Sequence, residues 1–282
     1  MTPSSRTTAG IGYDRAGPRG DLPVVLLHAG LADRRMWDPL WNALAVERDV
    51  VRLDLRGFGE STTRPRGKLS PVDDVLDTLA EVGIDRSHLV GASFGAGVAV
   101  EAALSRPSQV ASLLLSPPGG SLIAELTPDL RAFIEAERAA LARGDLGDAV
   151  EANLTWWVDG PRRDASHVDP TVRELVRLMQ QRAFEVTAGW DDIEARDLDP
   201  AALERLAEIR VPTLVLVGSH DLDAVHEAAR RVADEIAGAR LVNWSDTAHL
   251  PSMERPDDFL ALLRDWLTKV RATTPLKRHR FS

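Results

Sequence analysis

The chain has 282 residues, 44% of them hydrophobic and 27% charged, with a formal net charge of −9 and no cysteine. That length suits one large α/β domain, or a core with an inserted subdomain, and the lack of cysteine excludes a disulfide framework, thiolate metal sites and a cysteine nucleophile. The basic end "RATTPLKRHRFS" leaves the remaining body more acidic still, which argues against nucleic acid or an anionic membrane as partner and favours an uncharged small molecule.

The N-terminal "MTPSSRTTAG" has no apolar h-region, and no apolar run is long enough to span a bilayer. The expectation is a soluble, cytoplasmic protein. Residues 1–9 and 271–282 lack apolar periodicity and read as loose ends. A weakly alternating stretch, "GIGYDRAG" (10–17), reads as an edge strand. Apolar runs rich in Val and Leu follow: "LPVVLLHA" (22–29), "VVRLDL" (50–55), "SHLVGAS" (87–93), "ASLLLSP" (111–117), "VPTLVLVG" (211–218) and "ARLVNW" (239–244). Helical patterns separate them, so the spacing predicts a mostly parallel sheet buried on both faces.

Two helices carry clear start signals. In "SPVDDVLDTLAEVGI", Ser70 is placed to cap, Pro71 sits at the first helical position, and Asp73 and Asp74 suit the first turn. In "RPDDFLALLRDWL", Phe259, Leu262, Leu263, Trp266 and Leu267 form one apolar stripe. Between residues 119 and 208 no good strand signal occurs, and several helices are predicted with breaks at "RGDLG", "VDGPRRDASHVDP" and "ARDLDP". A helical insertion between two strands of a parallel sheet is expected to cap the carboxyl edge, where ligands bind. The organisation expected is therefore a core of residues 10–118 and 209–270 with a helical cap over 119–208.

The chemistry-bearing stretch is "LVGASFGAGVAVEA" (89–102). Gly91 and Gly95 flank Ser93 at a strand-to-helix junction, the setting in which a strained turn exposes a nucleophilic hydroxyl. Side chains at positions 91 and 95 are expected to collide with the neighbouring strand and helix. A serine needs a base. Of the seven histidines, His249 in "NWSDTAHLPSMERPDDF" follows the last strand, on a loop anchored by the Pro256 helix. The base in turn needs an orienting acid. "VPTLVLVGSHDLDAV" offers Asp221 just beyond a strand end, and Asp223 is expected to cap the next helix instead. "DLRGFGES" lacks the lysine and helix context of a phosphate-binding loop and reads as a structural turn.

Five motifs in this order resemble the α/β-hydrolase superfamily over about residues 10–270: "LLHAGLADRRMW", "LDLRGFGES", "GASFG", "GSHDLD" and "TAHLPSMERPDDF". The resemblance implies a mostly parallel α/β-hydrolase sheet flanked by helices, with an inserted helical cap. It implies a catalytic triad of Ser93, Asp221 and His249, and an oxyanion hole built from the backbone N–H groups of Gly30 and Phe94. The family usually has His-Gly in the oxyanion loop, where this chain has His28-Ala29, and Ala96 stands where a second glycine is common after the elbow. His28, Leu31, Met36 and Trp37 of that loop, with Trp156 and Trp157 of the cap, are the expected pocket residues.

The function expected is cytoplasmic hydrolysis of a small-molecule carboxylic ester or lactone through an acyl-enzyme, with no metal or organic cofactor and no nucleic-acid or membrane partner. Three other readings stay open: C–C bond hydrolysis or cofactor-free perhydrolysis on the same triad, a non-catalytic ligand-binding protein on the same fold, and an α/β protein with an accidental elbow.

Overall fold

A computed structural model describes residues 5–273. The chain opens with β1 (Ser5–Arg6), β2 (Gly12–Ala16), β3 (Val24–Leu27), α1 (Asp38–Glu47) and β4 (Val50–Leu53). It continues with α2 (Pro71–Glu81), β5 (Ser87–Ser93), α3 (Phe94–Ser105) and β6 (Val110–Pro118). After a helical stretch come β7 (Thr213–Gly218), α7 (Asp223–Glu235), β8 (Arg240–Trp244), α8 (Pro251–Glu254) and α9 (Pro256–Thr273).

The eight strands form one sheet in the order β1-β2-β4-β3-β5-β6-β7-β8. β3 to β8 run parallel, whereas β1 and β2 join antiparallel at the β4 side. Period-2 alternation splits the central strands between two cores. Val24, Leu26, Val90, Leu114, Leu214 and Leu216 face α1 and α9. Val25, Leu27, Leu89, Leu113, Leu115, Val215 and Val217 face α2, α3 and α7. Continuous Val and Leu runs are what two covered faces require, so the parallel sheet follows directly from the composition of these strands.

Helix signals are realised locally. Ser70 Oγ accepts the Asp73 N–H at 3.3 Å ahead of Pro71, and Phe259, Leu263, Trp266 and Leu267 of α9 are buried. Other expectations need correction. β2 is not the sheet edge, because Ser5–Arg6 pairs outside it; that segment lies in a stretch expected to be loose, and α9 runs to Thr273 into the other. Residues 1–4 and 274–282 lie outside the described residues. At the opposite margin β8 is a largely exposed edge strand rather than a buried one.

Between β6 and β7 lie α4 (Pro128–Ala142), α5 (Leu146–Asn153), a π-helical turn (Leu154–Asp159) and α6 (Pro170–Thr187). Gly144 and Gly160, at φ 71° and 85°, end two of these segments in the left-handed region. Among the described residues the only β pairing here is a bridge of Ala195 to Leu69. Because β3 to β8 are parallel, the loops after β3, β4, β5, β6, β7 and β8 all emerge at one edge of the sheet. Those loops carry the candidate chemistry.

Candidate active site

Ser93 ends β5 at φ 51°, ψ −112°, and among the described residues it is the one non-glycine with positive φ. The ψ value lies outside the left-handed helical well, a conformation that costs on the order of 1–3 kcal/mol. The flanking glycines make the turn possible. A Cβ on Gly91 would lie 2.4 Å from the Gly95 carbonyl oxygen, and one on Gly95 would lie 2.4 Å from that of Leu27. Phe94 opens α3, so its N–H is among those a helix leaves without an internal acceptor. The Cα of Gly30 sits against Phe94, where an added Cβ would meet the Phe94 Cβ at 3.4 Å. The two expected oxyanion donors thus belong to neighbouring residues beside Ser93.

Asp221 follows β7 and His249 follows β8, and both are buried. The His249 Nδ1 lies 2.8 Å from Asp221 Oδ2 and 2.9 Å from Oδ1. Oδ1 also accepts the Leu222 N–H at 2.8 Å. An ionised carboxylate only accepts, so Nδ1 carries the hydrogen, and in the neutral ring Nε2 holds the lone pair. That Nε2 is buried and has no hydrogen-bond partner among the described residues. The structure therefore joins Asp221 to His249, while no Ser93–His249 hydrogen bond is formed. Asp223 does not cap α7 with its side chain. It is the first residue of that helix and pairs with Arg162, while its N–H donates to Asp129 at 2.7 Å.

The helical stretch after β6 reaches both loops. The Trp157 ring centroid is 4.4 Å from that of His249, and the Trp157 carbonyl accepts the His249 N–H at 3.3 Å. Phe133 of α4 packs edge-on against Trp157 at 5.1 Å. Arg162 Nη1 donates to the Asp221 carbonyl at 2.6 Å. Trp157 sits in the π-helical turn, a feature that recurs at functional sites. Trp157 packs on both core clusters, whereas Trp156 packs only on that facing α2, α3 and α7 and makes no ring contact with His249.

The remaining expected pocket residues are redirected by burial. His28 is fully enclosed. Its Nε2 accepts the Leu55 N–H at 2.9 Å, which leaves the hydrogen on Nδ1, 2.8 Å from the Ala29 carbonyl. Burial pushes the His28 pKa down, so a neutral imidazole ties two loops together and has no nitrogen left for substrate. Met36 is enclosed and its sulfur accepts the Ala29 N–H at 3.3 Å. Trp37 packs on Phe259 of α9, with ring centroids 6.1 Å apart, and Leu31 joins the same core cluster. These side chains are buried in the core under the loop that carries Gly30.

One contributor went unnoticed in the sequence. A Cβ on Gly119, just past β6, would stand 2.7 Å from Ser93 Oγ and 2.8 Å from its Cα. The "GG" pair at 119–120 was its only signal. A separate cleft of about 560 Å³ lies between the loops after β3 and β4 and helix α6. Neither Ser93 nor His249 lines it. Its Arg34 forms ion pairs with both Asp54 and Glu60, which reads as structural cross-linking. Among the described residues no three metal-ligating side chains converge, and no helix is long and apolar enough to cross a membrane.

Residues 24–262 match the family model described as the alpha/beta hydrolase family. The chain is 30% identical over 254 residues to a pimeloyl-[acyl-carrier protein] methyl ester esterase of Nitrosospira multiformis, covering 84% of this chain and 91% of the relative. It is 23% identical over 258 residues to 3-oxoadipate enol-lactonase 1 of Acinetobacter baylyi, covering 90% and 92%. The solved enol-lactonase of Burkholderia xenovorans superimposes with a TM-score of 0.74 at 26% identity, covering 94% of this chain and 100% of that one.

Proposed function

The chain belongs to the alpha/beta hydrolase family, and from that premise we propose that it hydrolyses a small-molecule carboxylic ester or lactone through an acyl-enzyme on Ser93. The observation that carries this reading is the His249–Asp221 pair, with Nδ1 held by the carboxylate and Nε2 unengaged, at the same sheet edge as the Ser93 elbow. His249 Nε2 takes the proton of Ser93 Oγ as that oxygen attacks the substrate carbonyl. The N–H groups of Gly30 and Phe94 donate to the oxyanion, where a lost donor typically costs about 3 kcal/mol of barrier. The imidazolium then returns its proton to the leaving alcohol, and water, deprotonated by the same nitrogen, releases the acid. Asp221 keeps the imidazole in the reactive tautomer throughout. Hydrogen bonds between nucleophile and base commonly tighten only with substrate bound, which accommodates the unengaged Nε2.

Residues 119–208 act as a cap over this edge, with Trp157 as their contact on the base. The esterase and lactonase relatives favour a carbonyl substrate of this class. The reading is tested by incubation with a fluorophosphonate followed by intact mass: one adduct, mapped to Ser93 and absent in Ser93→Ala, is expected. Failure of the chain to take label, together with no hydrolysis across a panel of esters and lactones, would sink it.

A further inference from the structure

Asp221 and His249 face each other, but the backbone that carries His249 is held by something else. We propose that Arg163 is a positioning residue that sets His249 for the reaction described above, an inference that rests on that reading of the site.

The segment containing Arg163 passes directly against the two loops. At Gly160 the chain turns with φ 85°, and a Cβ there would lie 2.4 Å from the His220 carbonyl oxygen and 3.1 Å from the Ala248 side chain. Only glycine lets the chain run this close. Arg163 follows, with its side chain 6% exposed. Its guanidinium joins three parts of the molecule. Nε donates to the Asp159 carbonyl at 2.5 Å and Nη2 to that of Val158 at 3.1 Å, which satisfies the end of the π-helical turn. Nη1 donates to the Asp246 carbonyl at 3.1 Å in the histidine loop. Nη2 also forms an ion pair with Glu254 of α8, itself 8% exposed.

Glu254 completes the arrangement by accepting the Ala248 N–H on Oε1 at 2.9 Å. The histidine loop is thereby held at three backbone groups within four residues: the Asp246 carbonyl, the Ala248 N–H and the His249 N–H. Arg163 holds the first, its partner Glu254 holds the second, and the turn that Arg163 caps holds the third through Trp157. A guanidinium suits this work because its planar fork aims donors in fixed, divergent directions. Lysine would keep the charge beside Glu254 but, as a compact ammonium on a flexible stem, not the geometry. Arg163 does not touch the reacting atoms. It acts through the loop that presents Nε2, where a misplacement of about 1 Å is enough to lower turnover on the order of a hundredfold.

The test compares the full chain with Arg163→Lys and Arg163→Met, measuring kcat and KM on an ester, amide hydrogen exchange and thermal unfolding, with kinetics run well below each variant's transition. For Arg163→Met, kcat is expected to fall about tenfold to a hundredfold with KM within about threefold, and the amides of Ala248 and His249 to exchange faster. Arg163→Lys falls between, and it remains informative if the methionine variant fails to fold. Folded variants with kcat within about twofold of the unaltered chain, or with unchanged exchange at Ala248 and His249, overturn the proposal. If the unaltered chain itself hydrolyses no ester, the functional reading fails on its own, and exchange alone decides whether Arg163 holds the loop.

Discussion

The indole of Trp157 lies 4.4 Å from the imidazole of His249, ring centroid to centroid, and its backbone carbonyl accepts the His249 N–H. These residues belong to different parts of the chain: one to the helices inserted after β6, the other to the loop after the last strand. The inserted segment therefore touches the proposed base twice, once through a side chain and once through the backbone. Only the first contact is open to mutation.

Trp157→Ala removes the ring contact and spares the backbone hydrogen bond. An aromatic pair of this kind contributes about 0.5–1.5 kcal/mol, so the expected fall in kcat is at most about tenfold. Trp157→Phe keeps a ring and is expected to recover most of it. Steady-state kinetics of the two variants on a short-chain and a longer-chain ester check this, and an alanine variant at full activity on both would refute it.

Gly119→Ala introduces a methyl group 2.7 Å from Ser93 Oγ and 2.8 Å from its Cα. No side chain can swing away there, because the clash includes backbone. Overpacking of this kind costs about 1–3 kcal/mol, and the strain falls on the proposed nucleophile itself. The variant is expected to stay folded with its fluorophosphonate labelling slowed at least about tenfold. Labelling at the unaltered rate would show that Ser93 tolerates the intrusion.

At the opposite end of the sheet, burial, together with nearby Arg48 and Arg86, pushes His88 down from 6.5 to about 4, and its Nδ1 pairs with Ser112 Oγ at 2.8 Å. Above pH 6.5 neither folded nor unfolded chain protonates it. Between 6.5 and about 4 the unfolded chain binds the proton and the folded chain does not, so stability falls as pH falls. Denaturant unfolding of the unaltered chain and of His88→Gln is expected to show a stability difference that favours histidine more at pH 7 than at pH 4.5. An equal difference at both would rule out this contribution.

Much of the candidate site was legible because its signals are local. The glycines around Ser93 mark a turn with no room for side chains, and Ser70 and Pro71 mark a helix start in a few residues. β1 was missed because two residues carry no periodicity. The π-helical turn was missed because "LTWWVD" is compatible with an ordinary helix, and its wider winding is set by packing. His28 and Trp37 were expected at the pocket because they neighbour Gly30 in sequence. Their burial beneath the loop depends on Leu55 and Phe259, which are distant in sequence. Arg162 and Arg163, inside "VDGPRRDASHVDP", read as part of a break between helices because glycine and proline flank them.

Residue types and their short-range spacing determined the strands, the caps, the elbow and the order of the site-bearing loops, since these depend on backbone preferences and hydrophobic period within a few residues. Tertiary structure alone decided which side chains meet. The His249–Asp221 pair spans 28 positions and the Arg163–Glu254 pair spans 91. Such contacts exist only because parallel strands of defined order bring their loops to one edge, and no local preference encodes that distance.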